Sequence, residues 1–94
     1  MPASNASATM PTILVLLGWR FFFYANEGDE PIHVHCRKGG VECKYWLDVD
    51  NFDIQEAYSY EMSARDKKQV RQIIFQHFDY ITDQWRDFQE RRQR

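Results

Sequence analysis

Apolar and polar residues change their period twice along this chain, and the changes mark out its elements. Thr12 to Leu16 is a short apolar run and Trp19 to Ala25 a second, with Gly18 suited to a turn or bulge between them. "NEGDEP", residues 26–31, is a polar loop with Gly28 available for a positive φ and Pro31 closing it. Ile32–Lys38 and Val41–Val49 then flank Gly39-Gly40, a pair suited to the two-residue turn of a β-hairpin. That turn fixes a register: Lys38 opposite Val41, Arg37 opposite Glu42, Cys36 opposite Cys43, His35 opposite Lys44 and His33 opposite Trp46. Strict alternation then puts Ile32, Val34, Cys36, Val41, Cys43, Tyr45 and Leu47 on a core face. His33, His35, Arg37, Glu42, Lys44, Trp46 and Asp48 share the other. A slip of one residue would exchange the two sets.

"DNFDIQEAYSYE", residues 50–61, keeps no period and reads as a connector with at most one short strand or turn. Beyond it the period becomes helical. Ser63 with Asp66 three positions on is a capping-box pattern, and Val70, Ile74, His77, Ile81, Trp85 and Phe88 follow at spacings of three and four. One continuous helix over 63–92 would run about 45 Å, long for so small a domain, so a break near His77–Asp79 or a protruding end is expected. These elements predict an α+β fold: a small antiparallel sheet of three to four strands, including the hairpin at Gly39-Gly40, with C-terminal helix or helices packed on one face.

Composition narrows the picture. Ninety-four residues make one domain, and 44% hydrophobic with 16% aromatic content is enough for a core without disulfide staples. Residues 1–9, "MPASNASAT", are small, polar and aperiodic, and are expected to form a disordered extension before a single domain spanning 10–92. A net charge of −2 argues against a DNA-binding domain, which is usually basic. The run "ILVLLGWRFFFY" is interrupted by Gly18 and Arg20 and is too short to span a bilayer, and no secretory signal precedes it. A cytoplasmic protein with no membrane contact is expected. Cys36 and Cys43, predicted opposite each other, fit buried reduced thiols better than a disulfide in that compartment.

"MPTI" at Met10, "FFFYANEGDEPIHVH" from Phe21, "ECKYWL" from Glu42 and "SARD" leading to Trp85 together resemble the bacterial Domain of Unknown Function 4160 family. The resemblance covers roughly Met10 to Phe88 and favours Met10 as the ordinary start. The family usually has a second proline where Ile32 stands, often a glycine at Glu61 and commonly an asparagine at His77, so no site is built on His77. The resemblance implies an uncharacterised intracellular protein, in some genomes encoded beside a second small protein in toxin–antitoxin-like pairs. It implies no activity, cofactor or catalytic residue.

The polar hairpin face supports three readings. In the first it is an exposed interaction surface, docking a protein partner or a second copy. Trp46, Arg37 and Glu27 are its binding residues, and the aromatics on both sides of "WRFFFY" argue for an apolar patch there. In the second, His33 and His35 are the base and acid of a metal-independent ribonuclease-like toxin, with Lys44 stabilising the charged transition state and RNA as substrate. Imidazole suits that task because it titrates near neutrality. In the third and weakest, the two histidines, about 6.7 Å apart along the strand, chelate a metal. Its third ligand would come from Glu27, Asp29, Glu30 or Asp48, but spacing fixes none of these and the Lys44 ammonium stands opposite His35. No metal and no cofactor is therefore assigned, and enzymatic activity is left open.

Overall fold

The computed structural model describes residues 12–92; the expected extension at 1–9 and the start at Met10 lie outside the described residues. The strands are β1 (Thr12–Leu16), β2 (Trp19–Phe22), β3 (His33–Lys38), β4 (Val41–Asp48) and β5 (Asp53–Tyr60), followed by helices α1 (Ala64–Gln76) and α2 (Phe78–Arg92). The five strands form one antiparallel sheet in chain order, each strand beside the next. The α+β class is as expected, with one strand more than the sequence pattern announces.

Two tight turns set the register. Leu16 pairs with Trp19 across Leu17 (φ 54°) and Gly18 (φ 83°), both in the left-handed region that a type I′ hairpin demands. Lys38 pairs with Val41 across Gly39 (φ 58°) and Gly40, with positive φ at the first position only, the pattern of a II′ turn. Every cross-strand pair expected of this hairpin is present.

Alternation then sorts the side chains. Trp19, Phe21, Val34, Cys36, Cys43 and Tyr45 point to one face and are almost entirely buried, packed against Val70, Ile73, Ile74, Phe78, Ile81 and Trp85 of the helices. Cys36 and Cys43 are opposed, buried and free, and burial pushes the Cys36 thiol far above its ordinary range. The Trp19 indole donates to Gln69 Oε1 at 2.7 Å, which anchors α1 to the sheet.

The helical segment divides at the expected place. The Ser63 hydroxyl accepts from the Asp66 N–H, and the Asp66 carboxylate accepts from the Ser63 N–H, a complete capping box. α1 ends where His77 leaves helical geometry (φ −116°, ψ 24°), and α2 begins at Phe78. A continuous helix of about 45 Å would overrun a body whose longest dimension is 39 Å. The break keeps both apolar stripes on the sheet.

Two expectations fail. Residues 53–60 are a full strand rather than a connector. Its period is hidden because only Ile54 is buried, and a bulge at Lys44/Tyr45 shifts the alternation halfway along. The second correction concerns the polar face, which was expected to be open. His33, His35 and Lys44 are 0%, 1% and 7% exposed. The chain leaving β2 does not run away into solvent. It folds back through a 3-10 turn at Ala25–Glu27 and covers the β3 side of that face.

Candidate functional site: a buried Glu–His–His–Lys cluster under the 24–31 loop

The centre of the covered face is a row of directly paired residues, Phe22, His35, Lys44 and Tyr58, one from each of β2 to β5. His33 and Trp46 pair beside it, and Arg37 and Glu42 on its other side. The hairpin register brings together His33, His35, Arg37, Lys44 and Trp46, and the loop adds Glu27 from above. Sequence reasoning had offered Glu30 only as one of four possible third ligands for a metal and had left Tyr58 in the connector. Here Glu30 binds Lys44, and Tyr58 touches His35. The available signal was three acids at Glu27, Asp29 and Glu30 placed just before a strand holding two histidines.

Glu27 is the hub. Its Oε1 lies 2.9 Å from His33 Nε2 and 2.5 Å from His35 Nε2, while its Oε2 is 3.8 Å from Lys44 Nζ. Lys44 donates to Glu30 Oε1 at 2.6 Å, and its ammonium sits 4.4 Å from the centre of the Trp46 ring. His33 Nδ1 donates to the Pro31 carbonyl at 2.8 Å. His35 Nδ1 is 3.2 Å from the Tyr58 hydroxyl, which donates to Glu42 Oε2 at 3.0 Å. Arg37 Nη2 donates to Glu42 Oε1 at 2.7 Å and reaches the Tyr24 hydroxyl at 3.4 Å. Among the described residues, no buried side-chain nitrogen or oxygen lacks a partner.

Aromatic rings wall the cluster. His35 stacks on Phe22 with centroids 5.5 Å apart and meets Tyr24 edge-on at 4.5 Å. His33 meets Trp46 edge-on and lies 5.0 Å from Trp85, so α2 closes one end. The loop is tied to α2 as well, through Gln89 Nε2 donating to the Gly28 carbonyl.

Electrostatics follow from this packing. Burial alone would raise the Glu27 carboxyl, but its close contacts with the His35 and His33 rings and the nearby positive charge outweigh it and hold the group below its ordinary 4.5. Burial pushes His35 below 6.5 despite its contact with Glu27. Burial, then the Glu42 carboxylate, pushes the Tyr58 hydroxyl well up.

Chemically, three donor atoms converge: Glu27 Oε1, His33 Nε2 and His35 Nε2 lie within 4.8 Å of one another. This is a donor set that can hold a metal ion. Acid–base work on a polymer would need the imidazoles to touch it, and the loop stands between them and solvent. What remains open is the β4–β5 side of the face, with Trp46 half-buried and Tyr58 and Tyr60 42% and 62% exposed.

No helix among the described residues is long and apolar enough to cross a membrane. No curated protein and no solved structure matches the chain. A family model matches residues 18–86, from the first hairpin turn to Arg86, so its span contains the hub glutamate, both histidines, the lysine, all of α1 and the first part of α2. The chain belongs to the family described as a domain of unknown function, DUF4160.

Proposed function

We propose that the protein is a cytoplasmic protein-interaction module that docks a partner chain on the uncovered β4–β5 side of its sheet. One observation carries this reading: Tyr58, Tyr60 and Trp46 share one face beside the outer edge of an eight-residue strand, an edge that no strand among the described residues pairs. An open edge offers a row of main-chain donors and acceptors, and a partner adding a strand there would gain its affinity from them. Tyrosine and tryptophan next to that edge supply large, rigid contact area, which is why such residues dominate binding hot spots. The site differs from the one expected from sequence, because the loop takes the β3 half of the face for itself. The resemblance implies, for some genomes, a second small protein encoded alongside, and a neighbour of that kind is the first partner to try.

The test is capture with tagged full-length protein from its own cells, repeated with Tyr60→Lys and Trp46→Ala. Support is a stoichiometric partner, or a second copy, retained by the wild type and lost from both variants. Equal capture by all three, or a protein that stays monomeric and alone, contradicts the reading.

A further inference from the structure

The hydrogens of the buried cluster do not balance unless a positive charge is added, and this points to a site independent of the interaction surface. The Pro31 carbonyl can only accept, so His33 Nδ1 carries a hydrogen. Tyr58 has a single hydroxyl hydrogen, and it goes to the Glu42 carboxylate, which also can only accept. Tyr58 therefore receives the hydrogen of His35 Nδ1. With both Nδ1 atoms protonated, neutral imidazoles present bare lone pairs at both Nε2 atoms. Both Nε2 atoms face the same carboxylate oxygen, Glu27 Oε1. Three lone pairs meeting at one buried point repel one another unless a cation lies among them.

Two protons or one metal ion could fill that role. Two protons would make both rings cationic, although they are 0% and 1% exposed, 5.3 Å apart by centroid and close to Lys44. Charged groups at such burial are costly even when paired. A single divalent ion leaves both rings neutral. The surrounding charges leave room for it: Glu27, Glu30 and Glu42 against Lys44 and Arg37 give −3 + 2 = −1.

We propose that Glu27 Oε1, His33 Nε2 and His35 Nε2 bind one divalent transition-metal ion of the zinc class. Imidazole and carboxylate donors suit zinc or ferrous iron, not magnesium or calcium, which favour oxygen alone. Both imidazoles already have the outer partners that metal-ligating histidines use, a backbone carbonyl and a hydroxyl backed by a carboxylate. Lys44 does not oppose the ion, because it sits on the far oxygen of Glu27 and is neutralised by Glu30. Ligands about 2.0–2.1 Å from zinc stand roughly 3.3 Å from one another in a tetrahedral arrangement. Both contacts at Oε1 would lengthen toward that separation, the His35 contact about twice as much as the His33 contact, and the ligand free to give is Glu27, which stands on the loop. The ion would then fasten that loop to β3.

Chelator-treated full-length protein titrated with zinc chloride, followed by calorimetry and by the imidazole nitrogen resonances, tests this. One equivalent is expected, moving both Nε2 resonances while both Nδ1–H signals persist; magnesium chloride should move neither. Glu27→Gln and His35→Gln should weaken binding by more than about a hundredfold, and Tyr58→Phe, which removes only an outer partner, by about 10–100-fold. The wild-type resonances decide the matter even where a variant unfolds. No zinc uptake, with hydrogens on all four ring nitrogens, overturns the proposal in favour of a proton-filled cluster. Uptake unchanged in folded Glu27→Gln and His35→Gln overturns it in favour of binding elsewhere.

Discussion

The two faces of this sheet are covered by different physics, the polar one only on its β3 side. On one, Trp19, Phe21, Val34, Cys36, Cys43 and Tyr45 meet the apolar stripes of two helices. On the other, the cover is a loop whose 3-10 turn buries no residue. The loop is fastened through Glu27 to two histidines, Glu30 to Lys44, and the Gly28 carbonyl to Gln89. Apolar burial is additive and tolerant of exact geometry, whereas a polar seal works only when each donor finds its acceptor. The first face should therefore govern global stability and the second should govern local opening.

That contrast can be broken most forcefully at the helical face. Phe21→Ala should cost about 3–5 kcal/mol in urea unfolding, since Phe21 is fully buried at the centre of the sheet. A loss below about 1 kcal/mol would mean the helices contribute little. On the polar face, Glu27→Ala removes the carboxylate that both buried imidazoles face and should cost less, about 1–3 kcal/mol.

Alkaline titration reaches both faces, and on the helical one it reads Tyr45. Burial pushes the Tyr45 hydroxyl up to about 12 from its ordinary 10.0. In that window the folded state holds a proton that the unfolded state has released, so stability is intact below pH 10 and falls as pH rises toward 12. Tyr45 should account for a loss on the order of 2–3 kcal/mol, and Tyr45→Phe should remove that share of the profile while leaving the share of Tyr58, which is also pushed up. The smallest effect belongs to the open β4–β5 side. Tyr60→Ala should change stability by no more than about 0.5 kcal/mol while abolishing partner capture. A large loss of stability there would mean Tyr60 is structural.

How much of this was legible beforehand follows from the same contrast. The hairpin and its register were readable because Gly39-Gly40 fixes the turn and alternation in β3 and β4 is clean. Length alone raised the helix break only as an alternative to a protruding end, and the choice between them depended on how the stripes meet the sheet. β5 was hidden because an edge strand with a bulge buries a single side chain and leaves no apolar period to see. The burial of His33, His35 and Lys44 was hidden for a different reason. Periodicity reports which face a residue takes, but not what later covers that face. The cover here is polar, so it looked like solvated loop. Its charges were visible at Glu27 and Glu30, and their meaning depended on a backward fold of the chain that no local pattern encodes.

The most direct test of the two-face account is amide hydrogen exchange in wild type and Glu27→Gln, compared at residues 24–31 and along β3. The account predicts that the substitution speeds exchange throughout the loop while the amides of Val34 and Cys36, held by the sheet, keep their protection. Loop amides that exchange at the same rate in both proteins would show that something other than the glutamate–histidine contacts holds the cover in place.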